Sequence, residues 1–326
     1  MAIIEAHCLS KNFEVSEKRP GLKGTIKHFF SRKTKIIRAV KSIDFKIHSG
    51  EIVGFIGANG AGKTTTLKML CGLLYPSSGS LKVSGYTPVK RSSDFLEKIS
   101  LVMGHKQQLI WDLPPYDSLR VNAAIYGLSE LETKNRIKEL SNMLELDEEL
   151  YIPVRKLSLG QRMKAELLAA LIHRPTILFL DEPTLGLDLN AQLNLRQFIL
   201  NYNKIYGATI LLTSHYLADI TTLCKRVIII DKGHLIYDDS LEKLNKSSKN
   251  KRIVKIKFID RINIDFEKYG HINYLNLNEM EIIVEKDVLS NFLKYLLSSN
   301  NISDIEISDP PLEDLITDIF RSGCLE

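Results

Sequence analysis

Apolar residues recur along the chain at two different spacings. Four short runs, apolar almost throughout, lie at residues 51–56, 176–181, 208–213 and 226–231. Between these runs, apolar residues recur every three to four positions, as they do on one face of a helix. Continuous apolar runs indicate parallel strands that are covered on both faces. Strands that alternate with helices in this way predict a three-layer α/β domain.

Two other patterns interrupt this alternation. Residues 2–13 have the composition of an opening strand, and residues 38–47 alternate apolar and polar positions, as a half-buried strand does. From residue 96 to 150 the spacing is mostly helical, most clearly at 130–146. We therefore expect an inserted helical subdomain at about residues 95–160.

The composition becomes polar and basic at residues 245–252, which predicts a linker. Beyond it the pattern predicts a small α+β module, with strands and a helix at residues 254–258, 282–284, 288–297 and 302–307. A last helix is expected from one apolar stripe, formed by Leu312, Leu315, Ile316, Ile319 and Phe320. The expected domains are residues 1–244 and 245–326.

A glycine-rich loop lies between the first apolar run and a helical pattern. It matches the phosphate-binding motif with four residues between its first Gly and a Gly-Lys-Thr end. Its residues are Gly57, Ala58, Asn59, Gly60, Ala61, Gly62, Lys63, Thr64 and Thr65. Glycines let backbone N–H groups turn toward phosphate oxygens, Lys63 adds a positive charge, and Thr64 offers Mg²⁺ a hydroxyl at a helix start. The loop predicts a site for a nucleoside triphosphate and Mg²⁺.

Three further motifs accompany this loop. The second apolar run ends in Asp181 and Glu182, an adjacent acid pair at the carboxyl end of a buried strand, where α/β proteins place their chemistry. The third run is followed by Ser214 and His215. A Leu-Ser-Leu-Gly-Gln segment at residues 157–161 stands directly before a helical pattern.

Together these motifs resemble the ATP-binding subunit of an ATP-binding-cassette (ABC) transporter. The segment 157–161 looks like the signature that separates this family from other phosphate-loop NTPases, and the resemblance covers about residues 2–240. It implies an α/β fold of the P-loop NTPase, ABC-cassette type, with a mixed sheet and an inserted helical subdomain. The small C-terminal α+β module follows this cassette.

The resemblance also implies roles for individual residues. It implies that Thr64 and Asp181 hold Mg²⁺, Asp181 through its water shell, and that Glu182 polarises the attacking water. His215 matches the switch histidine that contacts the γ phosphate. Asp188 matches the loop that touches the opposite subunit, and Phe13 the aromatic residue that stacks on adenine.

Two positions depart from the family pattern. Leu159 stands where members commonly carry Gly, but the signature residues Ser158, Gly160 and Gln161 are retained for contact with the γ phosphate. His105 aligns best with a glutamine that links Mg²⁺ and water to the membrane partner, and imidazole is a poorer Mg²⁺ ligand than an amide oxygen. Either a glutamine at position 107 or 108 takes this role through a shifted loop, or hydrolysis is tuned differently.

The expected function is that of an enzyme that binds and hydrolyses ATP with Mg²⁺, dimerises on ATP and powers transport through separate membrane permease subunits. One chain supplies halves of two sites, so a second copy is the expected partner. The long insertion after Phe13 and the Pro-Pro-Leu-Glu-Asp segment at 310–314 resemble bacterial ABC-2 type exporters, which favours export. Apolar residues at 109–115 are expected to form either a permease docking surface or core.

Positive charge is concentrated in an insertion at about residues 16–37. This segment either meets anionic lipid at a membrane surface or forms a solvated loop. No nucleic-acid-binding module accompanies the charge, so nucleic acid is not an expected partner.

The lengths of the apolar runs and the placement of the cysteines bear on where in the cell the protein is located. The longest apolar run, residues 167–172, is far shorter than the roughly 20 residues of a membrane-spanning helix, and the N-terminus lacks a signal-peptide pattern. The four cysteines are scattered without metal-ligand spacing, which indicates reduced thiols. We expect a peripheral protein on the cytoplasmic side of the plasma membrane.

Two alternative functions stay open at this stage. The first is a soluble ABC ATPase without a transport role that acts on ribosomes or DNA, although the single cassette and the lack of sustained heptads argue against it. The second is a catalytically weak, nucleotide-sensing subunit that pairs with an active one. Only His105 favours this second alternative.

Overall fold

The computed structural model divides into two compact units, Met1–Asp238 and Asp239–Glu326. This division comes before the boundary expected at 244/245, because residues expected to be a linker belong instead to a helix and to a strand. The structure describes residues 1–16, 34–104, 108–214, 216–247, 250–259, 266, 268–276, 278–298, 301–310 and 315–316.

The first unit contains strands and helices in alternation. Its strands are β1 Ala2–Ser16, β2 Thr34–His48, β3 Ile52–Ile56, β4 Ser78–Val83, β5 Ile99–Met103, β6 Ile177–Asp181, β7 Thr209–Thr213, β8 Arg226–Asp231 and β9 His234–Ser240, and the last two residues of β9 lie past the division. Its helices are α1 Lys63–Leu70, α2 Ser93–Leu96, α3 Pro115–Ile125, α4 Glu130–Leu144, α5 Leu159–Leu171, α6 Leu189–Tyr206 and α7 Leu217–Leu223.

The main sheet has six strands in the order β5-β6-β7-β3-β8-β9. The first five of these are parallel to their neighbours, and β6 and β7 are buried at every residue. This burial on both faces agrees with the apolar runs in the sequence. Because the strands are parallel, the loops that follow β3, β6 and β7 emerge at one edge of the sheet.

A second, antiparallel sheet has the order β2-β1-β4. β1 and β2 pair as far as Ser16 opposite Thr34, so both strands extend beyond the ends predicted from the sequence. The cores of the two sheets are continuous: Ile4 and Phe45 belong to the same buried cluster as Phe55. The rest of the basic insertion, residues 17–33, lies outside the described residues.

Residues 99–103 form strand β5, although the sequence pattern there indicated a helix. The strand pairs in parallel with β6, Ile99 opposite Ile177 and Met103 opposite Asp181. Five apolar residues are too few for their spacing to distinguish a strand from a helix turn, and burial against β6 decides between them. The helical subdomain therefore begins after β5. Its helices α3, α4 and α5 surround the buried residues Leu119, Ile137, Leu140 and Met163.

The second unit is an α+β module. It contains α8 Leu241–Ser247, β10 Lys251–Phe258, β11 Gly270–Leu275, β12 Glu279–Glu285, α9 Lys286–Ser298 and β13 Ile302–Ser308. The strands form an antiparallel sheet in the order β11-β12-β10-β13, and Phe292 and Leu296 of α9 pack on it. β11 was not predicted from the sequence. Of the expected last helix, only Leu315 and Ile316 are described, and both are buried and helical.

Within the described residues, no helix is both long and apolar enough to cross a membrane.

Candidate functional site

The glycine-rich loop joins the end of β3 to the start of α1. Gly62 precedes α1 with φ +114°, a left-handed conformation that glycine adopts without strain. At Gly57 a Cβ atom would come within 2.3 Å of the Ile230 carbonyl oxygen. The loop thus lies directly on β8, and this close approach requires glycine. Gly60, at φ +79°, has open space where a side chain would project.

Lys63 is the buried cation of the site. Its ammonium group donates hydrogen bonds to the carbonyl oxygens of Gly57 at 2.6 Å and Ala58 at 3.2 Å. Burial lowers the pKa of Lys63, and the carboxylates of Glu182 and Asp181 oppose this lowering. The positive charge of Lys63 therefore interacts electrostatically with the acid pair. A charge in this position suits the phosphates of a nucleotide.

Asp181 is held by two hydroxyl groups. Thr64 donates from its Oγ1 to Oδ2 of Asp181 at 3.0 Å, and Thr213, at the end of β7, donates to Oδ1 at 2.7 Å. The carboxylate is almost fully buried. A hydroxyl and a carboxylate so close together form a hard-oxygen pair of the kind that Mg²⁺ prefers.

Glu182 follows Asp181 in an unusual backbone conformation, with φ +56°. Its N–H donates to both the carbonyl oxygen and the hydroxyl of Thr213, each at 3.1 Å. A non-glycine residue with positive φ is held by its surroundings at some cost in free energy. Here the end of β7 fixes the turn, and the side chain of Glu182 stays partly exposed.

The signature segment forms the N-terminus of α5. Ser158 and Gln161 make a reciprocal capping box, with Ser158 N–H donating to Gln161 Oε1 at 2.9 Å and Gln161 N–H donating to Ser158 Oγ at 3.2 Å. Ser158 is exposed, and Gln161 also donates through Nε2 to Glu149. The first turn of α5 is thus rigidly held, with its hydroxyl residue at the surface.

The loop that contains Asp188 lies beside this signature segment in the same chain. A Cβ at Gly160 would lie 3.0 Å from Ala191 Cβ, and one at Gly186 would lie 3.2 Å from Leu159 Cδ2. Asp188 caps α6 by accepting from the N–H of Ala191 at 2.9 Å. Leu159, which departs from the family pattern, is therefore accommodated because its side chain lies against Gly186.

The loop after β5 is tied both to the site and to α5. Gly104 N–H donates to the Asp181 carbonyl oxygen at 3.0 Å. After residues 105–107, the N–H groups of Gln108 and Leu109 donate to the carboxylate of Glu166, at 2.8 and 3.4 Å. Burial raises the pKa of Glu166, which these backbone hydrogen bonds partly oppose. The side-chain amide of Gln108 donates to the Leu101 carbonyl oxygen at 3.0 Å.

The remaining predicted site residues fall into two groups: some lie outside the described residues, and the others are exposed or half-buried. His105, Gln107 and His215 lie outside the described residues. Phe13 is half-buried on β1, and the ammonium of Lys11 lies 5.2 Å from the centre of its ring. Asn59 and Asp188 are exposed, whereas Thr65 is half-buried.

Some polar residues of this region carry no motif in the sequence. They are Thr184 and Thr213, Arg196 and Asp219, and Glu166, and all five are buried and hydrogen-bonded. Thr184 follows the end of β6 and Thr213 is the last residue of β7, positions that could have suggested both hydroxyls. Arg196, Asp219 and Glu166 are single charges within helical patterns, which normally indicates a solvated face.

Comparison with known proteins identifies close relatives. Residues 40–185 match the family model described as ABC transporter. The chain is 36% identical over 221 residues to the ABC transporter ATP-binding protein NatA of Bacillus subtilis, covering 68% of this chain and 89% of NatA. It is 30% identical to the linearmycin resistance ATP-binding protein LnrL of Bacillus subtilis and 31% identical to the bacitracin transport ATP-binding protein BcrA of Bacillus licheniformis. Each alignment covers 90% of this chain and 96% of the relative.

The fold has matches among solved structures. An ATP-binding subunit of an ABC transporter superposes with a TM-score of 0.61 and 26% identity, covering 75% of this chain and 92% of that one.

Proposed function

Because the chain belongs to the family of ABC transporter ATP-binding proteins, which hydrolyse ATP, we propose that it powers export through separate membrane permease subunits. ATP-binding subunits of this family dimerise and work with transmembrane partners. The observation that carries the proposal is the convergence of Lys63, Thr64, Asp181 and Glu182 at one edge of the main sheet.

We assign the nucleotide phosphates to the glycine-rich loop. The buried ammonium of Lys63 attracts the β and γ phosphates, and the N–H groups at the start of α1 face the same anions. Thr64 and Asp181 are the residues that would hold Mg²⁺, Asp181 through water. When bound, this ion neutralises charge on the phosphate oxygens.

We assign the attacking water to Glu182. Hydrolysis joins a water oxygen to the γ phosphorus and breaks the bond to the oxygen bridging the β and γ phosphates, which releases ADP and phosphate. A carboxylate that orients this water and takes up its proton must be held in place. The two hydrogen bonds from Glu182 N–H to Thr213 supply this restraint.

We further propose that the second half of each site comes from a second copy of the chain. Ser158 is exposed at the N-terminus of α5, and its hydroxyl and the adjacent N–H groups suit a γ phosphate. Gly160 and Gln161 belong to the same rigid turn, and Asp188 lies beside it. In a twofold dimer, each copy would offer its phosphate loop to one nucleotide and its signature to the other.

The names of two relatives support export over import. LnrL is named for linearmycin resistance and BcrA for bacitracin transport, and both align with 90% of this chain, including most of the second unit. The permease would hold this chain peripherally at the cytoplasmic face of the membrane.

A candidate permease contact lies in the helical subdomain. Ile110, Trp111 and Leu113 are between 38% and 46% exposed, whereas Leu109 and Pro115 are buried. The segment therefore divides into core residues and an apolar surface. We assign that surface to permease docking; the basic insertion is an additional candidate for contact with anionic lipid.

The first experiment measures Mg²⁺-dependent ATP hydrolysis by the purified chain against its concentration, with Glu182→Gln as the matched variant. We expect the rate to rise faster than linearly with concentration, and we expect the variant to be slower by about 100-fold or more. A rate that stays linear at concentrations where the chain is monomeric would exclude the dimeric site, and an equally active variant would exclude the assigned role of Glu182.

A second experiment tests export. In cells that normally produce the chain, replacing it with the Glu182→Gln variant should raise intracellular retention of an expelled antimicrobial compound and lower the tolerated dose. The chain should also co-purify with an integral membrane protein. Unchanged tolerance across a panel of such compounds, together with purification free of any membrane protein, would contradict the export proposal.

A further inference from the structure

Asp219 lies in the first turn of α7 and is completely buried. Oδ1 of its carboxylate accepts a hydrogen bond from Arg196 Nε at 2.6 Å. Oδ2 accepts from the hydroxyls of Thr184 and Ser214, each at 2.5 Å. All four residues are at most 6% exposed. We call this group the Asp219 network.

The network joins segments that carry the site motifs. Thr184 lies two residues after Glu182, on the loop that leaves β6. Ser214 follows β7 and also accepts from the N–H of Tyr216 at 2.9 Å, so the network includes both sequence neighbours of position 215. Its two hydroxyl donors therefore lie on the two loops that flank the candidate catalytic residues.

Arg196 extends the network toward the loop of Asp188. Its guanidinium donates to Gln192 Oε1 at 3.1 Å, and Gln192 donates through Nε2 to the carbonyl oxygen of Leu187 at 3.0 Å. Leu187 immediately precedes Asp188. A continuous chain of hydrogen bonds thus runs from Asp219 to two loops: it reaches the loop between β6 and α6 at both Thr184 and Leu187, and the loop after β7 at Ser214.

The cost of burial argues that this arrangement does more than stabilise the fold. Removing two charges from water is unfavourable, and buried ion pairs are often no more stabilising than apolar residues of the same size. What such a pair can supply is a fixed relative position of the groups that it binds, provided that every donor and acceptor is satisfied. All three donors to Asp219 point at it from different segments.

We propose that Asp219 is a positioning residue for ATP hydrolysis, holding the loop between β6 and α6 and the loop after β7 in one fixed arrangement. The inference rests on the proposed function, because it concerns the same site. Asp219 does not contact the reacting atoms in this scheme. It acts through Thr184 on the turn of Glu182, through Ser214 on the N–H of Tyr216, and through Arg196 and Gln192 on Leu187.

The test removes the two hydroxyl donors and leaves the ion pair intact. Asp219→Asn would leave a buried guanidinium without its counter-charge, and a folding defect would then obscure its effect on hydrolysis. The informative variants are therefore Thr184→Val and Ser214→Ala, singly and together. Thr184→Ser is the conservative control, because it keeps the hydroxyl.

A second control is an ion-pair group of similar chemistry elsewhere in the unit. Arg226 pairs with Asp238 and Glu51 at the start of β8, the opposite end of the strand from the glycine-rich loop. Arg226→Met thus reports how much the loss of a partly buried ion pair matters when it lies away from the site.

We expect the double variant to lose about 10- to 100-fold in kcat, with KM for ATP within about twofold of wild type. Thr184→Ser should retain most of the activity, and Arg226→Met should lower thermal stability with little change in kcat. A fall in kcat no larger than that of Arg226→Met, or a rise in KM at unchanged kcat, would overturn the proposal.

Hydrogen exchange of backbone N–H groups, measured on the same proteins, tests the positioning role of Asp219 independently of catalysis. The double variant should exchange faster than wild type at the N–H groups of residues 182 and 216, while α1 stays unchanged. Equal exchange at these positions would refute the positioning role. If wild type fails to hydrolyse ATP, the proposed function fails, and the exchange data alone still decide whether Asp219 fixes these loops.

Discussion

The Thr64 hydroxyl donates a 3.0 Å hydrogen bond to the Asp181 carboxylate, which joins the glycine-rich loop to the end of β6. These residues are separated by 117 positions in the chain. Their contact brings the first and second buried runs of the sequence together into one site. Under the proposed function, the same two oxygen groups would hold Mg²⁺.

The first prediction concerns Thr64. Thr64→Val keeps the shape of the side chain and removes the hydroxyl. We expect the Mg²⁺ concentration for half-maximal hydrolysis to rise by about tenfold or more, because a hard-oxygen ligand is lost. The measurement is a Mg²⁺ titration of hydrolysis at saturating ATP. Thr64→Ser should behave like wild type, and an unshifted Thr64→Val curve would exclude Thr64 as a ligand.

The second prediction concerns the signature residue Ser158. Aspartate caps helices as well as serine does, so Ser158→Asp should change the free energy of unfolding by less than about 0.5 kcal/mol. Its negative charge would oppose the γ phosphate, and hydrolysis should be lost. Urea unfolding and a hydrolysis assay measure these two effects separately.

Mixing two inactive variants tests whether the site is shared between copies. Lys63→Ala disables the phosphate loop, and Ser158→Asp disables the signature. In a mixed dimer, the Lys63 of one chain and the Ser158 of the other form one intact site. We expect hydrolysis to reappear on mixing, at up to about a quarter of the wild-type rate per chain if copies pair at random. No recovery at any ratio would place both residues in a site within a single chain.

Much of this arrangement could be predicted from the sequence, because its signals are local. The glycine spacing, Lys63 and the acid pair at the end of an apolar run each depend on neighbouring residues and on strand direction. Because parallel strands end at the same edge of a sheet, the fold class predicted that these residues would lie close together. The structure brings Lys63, Thr64, Asp181 and Glu182 together as that argument requires.

The features that could not be predicted from the sequence depend on tertiary contacts. Strand β5 is too short for its periodicity to identify it, and its pairing with β6 decides its conformation. Asp219 and Glu166 are lone acids in helical patterns, and nothing near them in the sequence marks them as buried. Their partners, such as Arg196 and the N–H of Gln108, become neighbours only in the folded chain.

The third prediction concerns Glu166, which accepts from the N–H groups of Gln108 and Leu109. Glu166→Ala leaves both groups without this acceptor in a largely buried place. We expect the free energy of unfolding to fall by about 2 to 4 kcal/mol, as measured by urea denaturation.

Two further variants separate the hydrogen bonds of Glu166 from its bulk. Glu166→Gln retains one carbonyl oxygen and should lose only about half as much stability as the alanine variant. Glu148→Ala, an exposed acid in the same subdomain, should unfold like wild type. Equal losses in the Ala and Gln variants would show that the negative charge, and not the acceptor geometry, holds the loop.

The fourth prediction concerns His173, at the end of the helical subdomain. Its ring stacks on Tyr126 with centroids 3.8 Å apart, and its Nε2 lies 3.2 Å from the Ile99 carbonyl oxygen. Burial lowers the pKa of His173 to about 4, and the nearby Arg136 adds to the lowering. The His173 ring is therefore neutral in the folded protein at neutral pH.

This lowered pKa makes stability depend on pH in a defined window. Between pH of about 6.5 and about 4, the unfolded chain binds a proton at His173 that the folded chain does not. The contribution to the free energy of unfolding is therefore complete above about pH 6.5 and falls by up to about 3 kcal/mol as the pH drops to about 4. His173→Phe keeps a ring against Tyr126 and removes the titrating group, so its unfolding curve should be flatter across this window. Tyr126→Phe, which removes only a hydroxyl, should retain the wild-type pH dependence. If His173→Phe keeps the full slope, the acid sensitivity comes from carboxylates elsewhere in the chain.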